Sequence, residues 1–207
     1  MGYTQDTRTF EVDSPLGKDV LLLRSFSGTE AISELFELEM ASENDSISFD
    51  AMVGKKVTVR ATVADEGERY WNGFVARFAQ TGRDEDLTIY HATVVPWLWF
   101  LTETTNCKIF QNMTVPDIIY KVFGDLGFTD YEPRGLGSYP TREYCVQYRE
   151  SAFNFVSRLM EEEGIFYFFE HEAGKHTMVL VRLAEDRPFP KDAAEAAFAG
   201  GENDGRS

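Results

Sequence analysis

The chain is poor in the residues that chemistry most often needs. It has two cysteines, Cys107 and Cys145, and three histidines in 207 residues. Two cysteines so far apart in sequence make no disulfide framework, and their spacing leaves open whether they pair. They read as two small buried apolar side chains in a reducing compartment. Basic residues are also scarce: 20 Lys and Arg face 35 Asp and Glu, a net charge of −15. That balance excludes nucleic acid and anionic membrane as partners, since both require a basic patch. No stretch approaches the roughly 18 consecutive apolar residues of a membrane span. Residues 1–13 hold no apolar run of the kind a cleaved signal peptide needs. The expectation is a cytosolic product, or one exported without a cleaved signal, with no membrane anchor.

What the chain does have is apolar and aromatic surface. Hydrophobic residues make up 43%, including 17 Phe, 9 Tyr and 3 Trp. This is enough for a sizeable core and suits broad β surfaces. Between residues 7 and 100 the pattern predicts short strands. TRTFEV, DVLLLRSFSG and LFELEMASE are divided by turn residues such as Asp13-Ser14-Pro15-Leu16-Gly17. In the third run Leu35, Phe36, Leu38 and Met40 are assigned to one face, Glu37 and Glu39 to the other. VTVRATVA at 57–64 turns through 65–68 into a strand over 69–80, with a bulge expected at Gly73. A long strand is predicted over 87–101, bent or at an edge at Pro96. Such strands, without a good helix among them, predict a closed or nearly closed antiparallel barrel.

After residue 104 the period changes. Thr114-Val115-Pro116-Asp117 combines an N-cap, a proline in the first turn and an acid three residues past the cap. Val115, Ile118, Ile119, Val122, Phe123 and Leu126 share an arc of about 140°, and Gly127 is placed as a stop. A helix is therefore predicted at about 114–126. Residues 143–171 read as strand, helix, strand, with the helix over 151–163. There Ala152, Phe153, Phe155, Val156, Leu159 and Met160 share an arc of about 160°. Gly164 ends the helix, and another strand over 177–183 returns through Glu172-Ala173-Gly174-Lys175. The whole is a β-rich α+β protein. A first barrel-like domain is expected over 1–104, a second α+β region over 105–183, and a flexible tail or loop over 184–207.

Candidate chemistry is thin. Glu161, Glu162 and Glu163 are adjacent, so on a helix they point about 100° apart and do not converge on one substrate. They crowd the negative end of the helix dipole. Arg158 can reach Glu161 or Glu162 at the i+3 and i+4 spacings, whereas Glu163 needs a partner from elsewhere. His171-Glu172 with His176 misses the HExxH spacing by one residue and has Gly174 between, so both histidines read as surface residues flanking a turn. His91 reads as a strand-face residue. No GxSxG and no phosphate-binding glycine loop occurs, and neither cysteine has a histidine near it in sequence. Trp97, Trp99 and Phe100 could form a carbohydrate platform, but read better as core or subunit contact. No catalytic, cofactor-binding or metal residue is assigned.

Two runs carry a resemblance: CKIFQNMTVPDIIYKVFGDLGF at 107–128 and YPTREYCVQYRESAFNFVSRLMEEEGIFYFFEH at 139–171. They strongly resemble the VgrG family, the spike-tip proteins of bacterial type VI secretion systems, which are related to hub proteins of contractile phage baseplates. A weaker upstream similarity in SPLGKDVLLLRSFSGTEAISELFELEMASE extends the resemblance over residues 7–183. It implies barrel-like hub (tube) domains with packed helices. It further implies a homotrimer whose six barrels sit on the hexameric ring of an Hcp-type tube, with baseplate proteins and effectors as further partners. It places the protein in the cytoplasm at assembly and outside after translocation, and it implies no enzyme and no cofactor. The family chain continues into a needle that carries a PAAR-type tip. This sequence stops at Ser207, so a fragment or short form is expected, and the tip is a partner only through that absent needle. The alternatives are a phage-tail or extracellular contractile hub, or a carbohydrate-acting β protein with exposed coplanar Trp97 and Trp99.

Overall fold

Alternating burial builds the first layer. The computed structural model describes residues 4–6, 8–44, 47–63, 67–84, 87–182 and 197–198. Six strands come first: β1 (Phe10–Asp13), β2 (Leu22–Thr29), β3 (Glu37–Asn44), β4 (Lys56–Val63), β5 (Gly67–Asp84) and β6 (Leu87–Val95). They pair antiparallel in the order β1-β4-β5-β6-β3-β2. On β6 Thr88, Tyr90, Ala92 and Val94 are buried while Ile89, His91 and Thr93 face away, the period-two pattern of a half-covered strand. The sheet curls until β1 approaches β2. No backbone ladder joins these two among the described residues; side chains bridge the gap. Arg8 Nη1 donates to the Leu23 carbonyl at 2.8 Å. The buried Gln5 amide accepts from Val12 N–H at 2.8 Å and donates to Val12 C=O at 3.2 Å, standing in for a neighbouring strand. The sheet is thus a curled half-barrel, barrel-like as the strand pattern predicts but without the closing ladder.

Two local readings need correction. The strand expected over 87–101 stops at Val95. Pro96 has no N–H to continue the ladder, and Trp97–Leu101 winds into a 3-10 turn that buries Trp97, Leu98 and Leu101. Gly73 is not a bulge, since it pairs in register with Val57. The irregularities in β5 fall between Val75 and Arg77 and between Gln80 and Gly82. Gly73 is there for close approach: a Cβ on it would lie 2.6 Å from Val94 Cγ1 and 2.8 Å from the Val95 carbonyl. The turn expected at 65–66 and the side chains of Glu37, Leu38, Glu39 and Met40 lie outside the described residues.

Beyond the 3-10 turn, β7 (Thr105–Met113) pairs antiparallel with β9 (Arg142–Ser151) as a two-stranded ribbon. A hairpin of β10 (Ile165–Glu172) and β11 (Lys175–Arg182) carries the short β8 (Tyr131–Arg134) parallel to β11. Pro133 is tolerated because β8 is an edge strand. Helix α1 (Val115–Asp125) begins as its sequence predicts. Thr114 caps Asp117 N–H, and the Asp117 carboxylate reaches back to Thr114 N–H. Helix α2 (Ala152–Glu162) has Ser151 as N-cap, with the hydroxyl accepting from Asn154 N–H at 3.1 Å. Gly127 and Gly164 take positive φ just past the two helices.

Two buried clusters result. One fills the curled sheet with residues such as Phe26, Met52, Val59, Trp71 and Val75. The other packs α1 and α2 against the ribbon, the hairpin and Trp97. Phe169 on β10 touches both. Of the stretch 184–207 only Ala197–Phe198 (β12) is described. Where a loop was expected, its backbone pairs antiparallel with Gly28 and Thr29 at the β2 edge.

Gly73→Ala is expected to lower stability by about 1–3 kcal/mol, because Val94 and a strand carbonyl must move to admit one methyl. Urea unfolding of the two proteins measures this; equal midpoints would show that β5 and β6 have room to part.

Candidate functional site

The glutamate triplet and the histidines draw the most polar structure around them. Glu161 and Glu162 are exposed on the last turn of α2, and Glu163 is its partly covered C-cap. Arg142, at the start of β9, spans the last two. Its Nη1 lies 2.8 Å from Glu162 Oε2 and its Nη2 2.6 Å from Glu163 Oε1. Arg142 is the partner that Glu163 needs, supplied from 21 residues away by the return of β9 along α2. Arg158 does reach Glu162, at 3.6 Å, but its closer bonds go to the Glu150 carboxylate at 2.9 Å and the Val146 carbonyl at 2.8 Å. Both arginines therefore fasten α2 to β9 as well as offsetting charge at its C-terminus.

His171 and His176 are not surface residues, contrary to the sequence reading. They are cross-strand neighbours on the β10–β11 hairpin and point back into the molecule. His176 is 1% exposed. The period of two puts them on one face, and that face packs on β5. Asn72 of β5 fixes both rings. Its amide nitrogen donates to the Val57 carbonyl at 3.1 Å and Thr58 Oγ1 at 2.8 Å, so its carbonyl oxygen must face His176 Nδ1 at 2.8 Å. Nδ1 of His176 therefore carries the proton, and Nε2 accepts from Trp97 N–H at 2.9 Å. Asn72 N–H donates to His171 Nδ1 at 3.0 Å, which leaves His171 Nε2–H for Glu30, 2.5 Å away. Phe36 lies edge-on to both rings at 5.0 and 5.7 Å. Burial pushes His176 down to about 3, helped by the nearby His171 and Lys56. This network joins five segments of chain and was missed because the spacing of the two histidines was read against a helical metal motif.

The remaining candidates stay apart. Cys107 and Cys145 are both free, and Cys107 is exposed where a buried residue was expected. They stand on paired strands but at different rungs, Cys107 opposite Tyr148 and Cys145 opposite Phe110. His91 is exposed on β6. Trp97 is 1% exposed, so no coplanar Trp97–Trp99 platform faces solvent. Among the described residues no three His, Cys, Asp or Glu side chains are grouped to hold a metal ion. A cleft of about 560 Å³ lies between β1, β4 and the hairpin tip at Ala173-Gly174, lined by Asp6, Glu11, Asp13, Lys18, Arg60 and Tyr70. Its cations are engaged: Lys18 with Asp6 at 2.7 Å, Arg60 with Glu11 and Glu68. The largest exposed apolar side chains include Ile109, Tyr144 and Tyr148 on one face of the β7–β9 ribbon.

Residues 29–206 match the family described as phage tail baseplate hub (GPD). The chain belongs to that hub family. Its relatives include the type VI secretion system spike protein VgrG1c of Pseudomonas aeruginosa, 48% identical over 182 residues, which make up 87% of this chain and 25% of VgrG1c. A more distant relative is the actin cross-linking toxin VgrG1 of Vibrio cholerae, 33% identical over 84% of this chain and 18% of the toxin. The hub chain thus spans between 18% and 28% of the length of these curated relatives. Among solved structures, a type VI secretion component of Escherichia coli, described as similar to the T4 tail proteins gp27 and gp5, superposes with a TM-score of 0.70 at 24% identity. That likeness covers 83% of the hub chain and 48% of the other, and extends to the fold. The motifs at 107–128 and 139–171 fall inside the matched region, and hold α1, α2, β9 and all but the first two residues of β7.

Arg142→Ala in the hub chain is expected to cost about 1 kcal/mol, since it leaves Glu163 unpaired at a helix C-terminus and Glu162 with only the longer contact to Arg158. The measurement is the thermal or urea midpoint. Recovery in an Arg142→Ala, Glu163→Gln double variant would assign the loss to the charge, and no recovery would assign it to packing.

Proposed function

We propose that this chain is the N-terminal hub of a type VI secretion spike, a structural part that seats on the secreted tube and leaves the cell with it. The observation that carries the reading is the 48% identity to VgrG1c across 87% of the chain, joined to a curled antiparallel sheet of the hub type. In this reading three copies form a ring, residues 1–104 act as the tube-facing barrel, and 105–183 as a second unit clamped on it. An Hcp-type hexamer is the tube partner. Baseplate proteins and effectors bind the assembled spike. Localisation follows from the role: cytoplasmic during assembly, extracellular after firing.

The same reading assigns no catalysis to these residues. The polar groups brought together are engaged in holding elements to one another, and the lysine and arginine of the cleft are paired. The name of the Vibrio cholerae relative describes a toxin, of which this chain matches 18%. A phage-tail role is the less favoured reading, because the high identities are to type VI spike proteins.

The test is to mix the chain with hexameric tube rings and measure stoichiometry by light scattering and electron microscopy. Three chains capping one ring are expected. A chain that stays monomeric and unbound, beside a full-length spike protein that caps the same rings, would overturn the assignment of tube contact to these residues.

A further inference from the structure

The β10–β11 hairpin is the part of the second core that packs on the barrel, and the polar bonds at its tip end are made by histidine ring nitrogens. His176 Nε2 takes the N–H of Trp97, the first residue of the 3-10 turn that leaves the barrel. His176 Nδ1–H meets the Asn72 carbonyl oxygen, whose orientation is set by two further bonds to β4. Adding a proton to Nε2 would put a donor against a donor, because Trp97 N–H has nowhere to turn. The charged and titratable groups around the ring give the proton no welcome. On β10 stands His171, its ring centroid 6.1 Å away. On β4 stands Lys56, held by Asp130 at 3.4 Å and lying over the Phe74 ring at 5.4 Å. Glu30, on the loop after β2, is engaged by His171. Phe36, Phe74 and Phe169 close the remaining sides.

We propose that His176 is an acid-sensitive latch: neutral, it fastens the β10–β11 hairpin to the barrel at Trp97 and Asn72, and protonated, it releases the hairpin. Trp97 N–H then loses His176 Nε2 as the departing hairpin takes His171 Nδ1 from Asn72 N–H, and the two cores uncouple while each keeps its own packing. The sign follows from the ring's ordinary value. In the folded chain burial holds His176 down to about 3, whereas in the opened state the exposed ring titrates near its usual 6.5. Between those values the open state binds a proton that the closed state refuses. Closure is thus strongest above about pH 6.5 and weakens up to tenfold for each unit below it, down to about pH 3.

The experiment is amide hydrogen exchange by NMR on the 207-residue chain from pH 7.5 to 4.5, with protection corrected for the intrinsic rate. Trp97 and Asn72 amides are expected to lose protection close to tenfold per unit below pH 6.5, ahead of Phe155 and Val156 in α2. Uniform loss across all four, or flat protection at Trp97 and Asn72, overturns the latch. His176→Gln supplies an acceptor for Trp97 N–H that takes up no proton near neutral pH. It should flatten the pH dependence at Trp97 and Asn72. A His176→Gln chain that keeps the wild-type slope overturns the proposal. Should that variant fail to fold, the wild-type exchange profile decides alone.

Discussion

One backbone N–H, that of Trp97, sits where the chain must leave a sheet it can no longer extend. Pro96 ends the β6 ladder, so the next N–H is buried without a strand partner. An unpaired buried donor costs about 1–3 kcal/mol. The acceptor is a histidine nitrogen 79 residues later in the chain. That bond obliges β11 to lie against the start of the 3-10 turn, which in turn sets β10 on β5. The same turn drives Trp97 into the second core, where Phe123 lies edge-on at 4.9 Å and Phe128 stacks at 5.0 Å. One proline and one histidine thus set one polar tie of the junction between the two clusters, beside the Asn72–His171 bond and the apolar contact of Phe169.

Much of the fold is legible from local pattern. Both helices follow from apolar arcs and stop glycines, and α1 from its cap as well, since Thr114, Asp117, Gly127 and Gly164 act within a few residues of themselves. The curled sheet follows from alternation and turns. What pattern cannot carry is contact between distant segments. The partner of Glu163 lies on another element, and nothing about Arg142 in sequence marks it. The histidines failed for a different reason. A five-residue separation excludes one helix face, but across a tight hairpin it makes the two residues direct neighbours. Gly73 shows the same limit: a missing side chain reads equally as a bulge or as a close approach, and only the position of Val94 decides.

Charge is handled in a way that suits a stiff part. A chain of net −15 must keep its acids apart or paired. Asp125 is bound by Lys108 at 3.0 Å and by Lys121 at 3.2 Å, and burial of neither lysine is needed. These two contacts hold its carboxyl below the usual range. Arg134 spans Glu132 and Glu170 and so crosses from β8 past β11 to β10. Exposed pairs of this kind are individually weak. The value of two of them is geometric: Lys108–Asp125 ties β7 to α1 and Arg134–Glu170 ties β8 to β10, elements that the apolar cores alone would allow to slide.

The same geometry argues against hidden catalysis at the histidines. A general base needs a free lone pair aimed at a substrate proton. His176 has one nitrogen protonated toward Asn72 and the other filled by a backbone N–H, and it lies 1% exposed. His171 has its lone pair filled by Asn72 N–H and its proton given to Glu30. The His–carboxylate pair is thus present without the open side that would make it reactive. For either ring to act on a substrate, the hairpin would first have to leave the barrel, and the surface that it covers would be lost. Catalysis and the junction between the cores demand the same two rings, and the hydrogen bonds commit them to the junction.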